Sequence, residues 1–258
     1  MPRTPARRTG TVRCGVIGDV HGALPIARAV ADELRPLGVD IVLLVGDLLP
    51  AVLSRRYLSD GRRELREMLH QVRSIFAPTG ARLAWVPGNH DPSGLKARDN
   101  CDRRALSVSG IRVFGIGGAG PHRFGFRYEW NEEEIGSLLP PPHDILLTHA
   151  PPLDTRLDRL ASGDHVGSQA VRDIAVHRSR VLVCGHIHES AGVDRIDNLL
   201  MLNAGALGDP FGKPQYGLVE LSEDYTAVTH VDLTTSGTTA LRVDHPSQTS
   251  ESSTDQNV

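Results

Sequence analysis

The chain predicts an α/β fold in which two β-sheets pack together with helices on the outside. Three observations carry this expectation. The first half repeats a strand, loop, helix, strand rhythm, which calls for parallel neighbours joined by right-handed crossovers. The last third consists of short apolar stretches separated by turn signals, which calls for antiparallel hairpins. A chain of 258 residues, 40% hydrophobic and 23% charged, is long enough for one sizeable core. A βαβ half and an antiparallel half are accommodated by two packed sheets with their loops gathered at one end.

The elements follow in order. Residues 1–11 are Pro, Thr and Arg with little to bury and read as a flexible arm. Val12–Ile17 is a strand, and Ala23–Leu37 a helix with Pro25 tolerated in its first turn and Gly38 at its end. Ile41–Val45 is the second strand. Arg62–Phe76 carries apolar residues at Leu65, Met68, Leu69, Val72, Ile75 and Phe76, the spacing of a one-sided helix. Arg82–Val86 and Arg112–Ile116 are strands. Asn131 caps a short helix through Glu132–Leu138, with acids at its positive end. Asp144–Leu147 is a strand, Ser168 caps the helix Gln169–His177, and Val181–Cys184 is a further strand. The strands Gly192–Ile196, Leu199–Asn203, Tyr216–Leu221 and Ala227–Leu233 complete a domain spanning 12–233, with hairpin turns at Asp197-Asn198 and Glu223-Asp224. Beyond it only Leu241 and Val243 are sizeable apolar side chains, so residues 234–258 are expected to be a disordered tail.

Five motifs stand where apolar runs end: Asp19-Val20-His21, Gly46-Asp47, Gly88-Asn89-His90-Asp91, Thr148-His149 and Gly185-His186-Ile187-His188. In an α/β fold the ends of neighbouring strands meet at one edge of the sheet, where ligands bind. Taken singly the motifs say little, since Gly-Asp is a common turn and a lone histidine is usually a satisfied one. Together they collect carboxylate, amide oxygen and imidazole, a ligand set for borderline divalent metals such as Mn, Fe, Zn or Co. The donors are too many for one ion, and a two-metal site suits in-line phosphoryl displacement. His186 and His188, two apart after a buried strand, point the same way if that segment stays extended.

Composition narrows the alternatives. A net charge of -3 provides no global basic field for nucleic acid or an anionic membrane. No apolar stretch reaches bilayer length, and the arginines near the N-terminus precede no signal-peptide core. Three scattered cysteines, Cys14, Cys101 and Cys184, fit a reducing compartment, so a cytoplasmic location is expected.

The motif series, with Gly18 and Gly22 flanking the first, resembles the calcineurin-like metallophosphoesterases. The stretches Thr148–Pro152, His165–Ser168, Gly185–Ser190 and Asn203–Gly205 are similar to the branch loosely called Icc-related phosphoesterases. The resemblance runs from about Val12 to Leu233 and implies the corresponding two-sheet sandwich. It implies that Asp19, His21 and His188 hold one divalent ion, that Asn89, His149 and His186 hold a second, and that Asp47 bridges them with one oxygen to each. It further implies that a metal-bridging hydroxide attacks a phosphodiester or phosphomonoester, with His90 stabilising or protonating the leaving oxygen. The expected partner is a small phosphoester, nucleotides included.

Departures qualify the likeness. Protein phosphatases of the superfamily follow this Gly-Asp with an acid, an arginine and a glycine, whereas here Leu48-Leu49-Pro50-Ala51 follow. Arg55 and Arg56 are the nearest candidates for the absent phosphate grip. The charge argues against the nuclease branch. A retromer-like, non-catalytic binding role is opposed by the retention of all seven ligand positions and His90. Phe124, Phe126, Tyr128 and Trp130 alternate and read as a half-buried strand or a cleft wall; His165 is the further histidine to watch, ahead of its capped helix.

Overall fold

The computed structural model describes residues 10–51, 61–207 and 213–245, so Arg55 and Arg56 lie outside the described residues. Its strands are Val12–Ile17 (β1), Ile41–Leu44 (β2), Arg82–Trp85 (β3), Ala105–Val108 (β4), Ile111–Ile116 (β5), Ile145–Thr148 (β6), Val181–Cys184 (β7), Gly192–Ile196 (β8), Leu199–Asn203 (β9), Gln215–Leu221 (β10), Tyr225–Asp232 (β11) and Gly237–Asp244 (β12). The helices are Leu24–Leu37 (α1), Arg62–Phe76 (α2), Glu132–Gly136 (α3) and Gln169–Arg178 (α4).

Two six-stranded sheets form, in the orders β12-β11-β10-β1-β2-β3 and β4-β5-β6-β7-β9-β8. Both are mixed: β1, β2 and β3 run parallel, as do β5, β6, β7 and β9, while the remaining pairs are antiparallel. The predicted α/β sandwich is therefore the observed one. Strand alternation explains the layering. Leu43 and Val45 point between the sheets, where they join Val16, Val113, Leu147, Val183 and Leu202. Val42 and Leu44 point outward onto α1 and α2 through Val30, Leu34, Leu65 and Leu69. Leu146 and Leu182 do the same on the other sheet, against Val171, Ile174 and Ala175 of α4. Such central strands, buried on both faces, read in sequence as continuous apolar runs.

Local chemistry sets the helix ends. Gly38 closes α1 at φ 61°, a left-handed turn that glycine adopts without a Cβ penalty. The Ser168 side chain accepts a hydrogen bond from the Val171 amide at the start of α4. Asn131 stands at the N-cap of α3 without a side-chain cap bond, and that helix is shorter than its sequence suggests.

The C-terminal boundary requires correction. Instead of disorder from residue 234, β12 pairs with β11 along its whole length, from Asp232 opposite Gly237 to Tyr225 opposite Asp244. Leu241 and Val243 pack partly buried against the inter-sheet core, and His245 Nε2 lies 3.1 Å from Arg180 Nη2 and 2.9 Å from Thr226 Oγ1. Two apolar side chains suffice because the ladder satisfies the backbone and β11 is already in place. Truncation after Thr235 should therefore cost about 2 kcal/mol, roughly 1 kcal/mol for each half-buried side chain. For a domain of this size that is a melting temperature lower by roughly 4–8 °C. An unchanged melting curve would mean that the strand contributes nothing. Residues 1–9 of the expected arm and 246–258 of the expected tail lie outside the described residues. Among the described residues no helix is long and apolar enough to cross a membrane.

Candidate metal centre

The loops after β1, β2, β3, β6 and β7 meet at one edge of the sandwich and bring all seven expected donors and His90 together. His188 Nε2 lies 2.8 Å from Asp19 Oδ2. Asp19, His21 and His188 can present one donor atom each within 4.8 Å of one another, and so can Asp19, Asp47 and His149. His149 Nε2 lies 2.7 Å from Asn89 Oδ1, and the His149 and His186 rings are 4.9 Å apart. Asp47 stands at the centre. Its Oδ2 lies 3.7 Å from His21 Nε2, 3.6 Å from His149 Nε2 and 3.8 Å from His90 Nε2. Its Oδ1 accepts the backbone amide of His90 at 2.8 Å. Oδ2 faces imidazoles of both expected sets, His21 and His149.

The backbone reaches these positions in an unusual conformation. His21, Asp47 and His186 have φ of 43°, 48° and 69°, a left-handed region that costs non-glycine residues on the order of 1–3 kcal/mol each. The extended geometry assumed for His186 and His188 is accordingly not found. The chain turns at His186 and enters a 3-10 turn at His188–Ser190, which sends His188 toward Asp19 and His186 toward His149. Gly46, at φ 111°, lets two loops close: a Cβ there would lie 2.5 Å from Gly88 N and 2.9 Å from His149 Nδ1.

Supporting groups that the sequence reading left without a role hold these loops. Asp91 is fully buried and accepts the amides of Leu48, Leu49 and Gly88, each at 3.0 Å, tying the Asp47 loop to the Asn89 loop. Burial pushes its pKa up, and those three amides oppose the shift without cancelling it. Asp91→Ala leaves three buried amides without an acceptor, partly offset by removal of a buried charge. It should cost roughly 2 kcal/mol in urea unfolding of the metal-free chain; a loss near zero would dismiss the clamp. Asn203 donates to Ile187 O at 2.9 Å and Leu157 O at 3.2 Å, steadying the His186 loop. His165 is not part of the centre: its Nδ1 lies 2.7 Å from Asp158 Oδ1, and Asp158 also accepts three backbone amides of the surrounding loop.

Electrostatics favour a cation. Burial pushes the Asp47 carboxyl well above its usual range, and the charges of Asp19 and Asp91 push it further. Burial also raises Asp19, but His188, His149 and His21 outweigh it and hold that carboxyl low. The imidazoles are driven neutral: burial lowers His21 and His149, and burial with His149 nearby takes His186 down to about 3. Neutral imidazole is the ligating form. His149 Nδ1 lies 2.8 Å from Val45 O and His21 Nδ1 3.2 Å from Leu49 O, which puts the proton on Nδ1 and leaves each Nε2 lone pair turned inward. The His149 Nε2 lone pair then faces the Asn89 carbonyl oxygen with no proton between them, and Asp19 Oδ1 is buried without a hydrogen-bond partner. A divalent ion satisfies both; the donor set fits a metal.

A cleft of about 690 Å³ opens over the centre, bounded by Phe126, Leu160, Glu189, Lys213 and Gln215. Phe126 packs on the His90 ring with centroids 4.7 Å apart, while Tyr128 and Trp130 are buried in the core. Of the alternating aromatics, Phe126 is therefore the cleft wall. Lys213 and Gln215 carry no sequence signal; the fold alone places them here.

Comparison with known proteins agrees. Residues 12–224 match the sequence model of the calcineurin-like phosphoesterase superfamily domain. Over 202 residues, 72% of this chain and 85% of the relative, the sequence is 30% identical to an uncharacterised protein of Methanocaldococcus jannaschii. It is 28% identical over 171 residues to a cAMP/cGMP dual specificity phosphodiesterase of Mycobacterium tuberculosis, covering 61% of this chain and 50% of that protein. The fold superposes on a dimetal phosphatase from Danio rerio with a TM-score of 0.59 at 12% identity, over 91% of this chain and 99% of that one.

Proposed function

Since this chain belongs to the calcineurin-like phosphoesterase superfamily, we propose that it hydrolyses a phosphodiester or phosphomonoester at a centre of two divalent ions. The observation that carries the reading is the convergence of seven donors, Asp47 at their centre, with His90 beside them at the cleft. Asp19, His21 and His188 would hold one ion, Asn89, His149 and His186 would hold the other, and Asp47 would be shared between them. Mn, Fe, Zn and Co all suit this mixed set. When bound, such ions supply Lewis acidity and a water acidified toward neutral pH.

The side chains supply the rest. Asp47 Oδ1 fixes the His90 backbone, and Phe126 packs against its ring, so the imidazole is held at the cleft where a leaving oxygen departs. There it delivers a proton to that oxygen, a role imidazole fills more often than any other side chain. The substrate is a small phosphoester, and the mycobacterial relative makes cyclic nucleotides the first diesters to try.

The test is reconstitution of the purified chain with Mn, elemental analysis, and a substrate panel of bis-p-nitrophenyl phosphate, p-nitrophenyl phosphate and cyclic nucleotides. About two ions per chain and turnover of at least one ester are expected. A single ion at saturation rejects the dinuclear centre. Two ions without turnover on any ester reject the enzyme and favour a binding role.

A further inference from the structure

Next to the metal cleft lies a second cavity of about 630 Å³, opening between β8 and the β11–β12 pair. Leu160, Glu189 and Ala191 line both cavities and form the wall between them. Arg156, Arg159 and Arg195 belong to the lining of the second cavity, as do His230 of β11 and Leu241 of β12.

Three arginines of the lining face two acids, Glu189 and Asp194. The two acids of the lining are engaged by backbone donors. Asp194 accepts the amides of Arg156 and Arg195, both at 2.8 Å, and Glu189 accepts the amide of Ala161 at 2.5 Å. Among the described residues none of the three guanidinium groups makes a hydrogen bond or ion pair. His230 is only 7% exposed, yet its Nε2 has no hydrogen-bond partner. A buried polar atom left unpaired in a natural protein calls for an explanation, and a ligand is one.

We propose that this cavity binds a phosphate-type oxyanion, gripped by Arg156, Arg159 and Arg195 beside His230. Guanidinium groups match such an anion in charge and in bidentate geometry. The volume falls within the range of roughly 300–1,000 Å³ for small-molecule pockets. A bare phosphate would leave much of it unfilled, so the anion belongs to a larger molecule. The family model ends at residue 224, so His230, Thr239 and Leu241 come from beyond the matched segment. The three arginines lie within the matched segment. Two sources present the same chemistry: a second phosphate on a substrate that reaches across the Leu160–Glu189–Ala191 wall, or a free phosphorylated effector. The first source rests on the proposed hydrolysis; the binding site does not.

The experiment titrates inorganic phosphate by calorimetry, at low salt, into the full chain after chelation and dialysis. The Arg159→Ala/Arg195→Ala double variant is the control; both side chains are exposed, so the fold should tolerate the change. Binding by the wild type, weakened about tenfold or more in the double variant, supports the proposal. Absence of phosphate binding, or equal binding by both proteins, overturns it. A second arm uses the Mn-loaded enzyme and compares KM for a 5′-phosphorylated dinucleotide with KM for its unphosphorylated counterpart. A ratio that rises in the double variant identifies the far end of the substrate as the source. An unchanged ratio alongside weakened phosphate binding identifies a free effector. A chain that turns over nothing leaves the calorimetric result to decide.

Discussion

Asp47→Asn should lower kcat/KM by a thousandfold or more, on the order of 4 kcal/mol of lost transition-state stabilisation, and should leave less than one Mn per chain. The residue occupies the position no other donor can fill, with Oδ2 within 3.8 Å of imidazole nitrogens from three separate loops. The asparagine keeps an oxygen for the His90 amide, so the loop retains its shape while the charge is lost. Stability should move the other way. A carboxyl whose folded pKa is raised destabilises the folded chain as pH rises from its unfolded pKa through its folded one. Asp47 is raised well above 3.8 by burial and by Asp19 and Asp91, so at neutral pH its charge costs the metal-free protein stability. The metal-free variant should therefore melt at or above the metal-free wild type, whereas added Mn should raise the melting temperature of the wild type alone. Full activity, or a normal metal content, in Asp47→Asn would remove the bridge from the mechanism.

His90→Ala should lower kcat by about a hundredfold or more with metal content near normal. The His90 side chain is 13% exposed, lines the cleft, and reaches Asp47 Oδ2 only at 3.8 Å. The loss should be large for alkyl esters, whose leaving oxygen needs a proton, and small for p-nitrophenyl esters, whose leaving group departs as the anion. Equal losses across the two classes would count against proton delivery. Loss of one ion on substitution would reassign His90 as a ligand.

Much of this centre was legible because each donor follows a buried apolar strand, and strand ends must meet where parallel neighbours share a sheet. The order of Asp19, Asp47, Asn89, His149 and His186 along the chain is enough to infer their convergence. What was not legible depends on partners distant in sequence. Asp91 was visible in its motif, but its three amide donors include two from residues 48 and 49, more than 40 positions away. The path of the His186–His188 segment follows from a left-handed turn that alternation rules do not anticipate. The strand β12 was missed because its solvent face is Thr, Ala and Arg, which reads as disorder until β11 supplies an edge to pair with. The four-residue β4, exposed along half its length, carries too little apolar pattern to register.

The donors are also divided between the layers. Asp19, Asp47 and Asn89 extend from strands of one sheet, and His149, His186 and His188 from strands of the other. Each proposed ion draws ligands from both, so occupancy fastens the two sheets across their shared apolar interior. The cleft already opens the centre to solvent, so what occupancy adds is a tie between the layers. Metal loading would then slow hydrogen exchange at the ends of β1, β2, β6 and β7, where the tie is made.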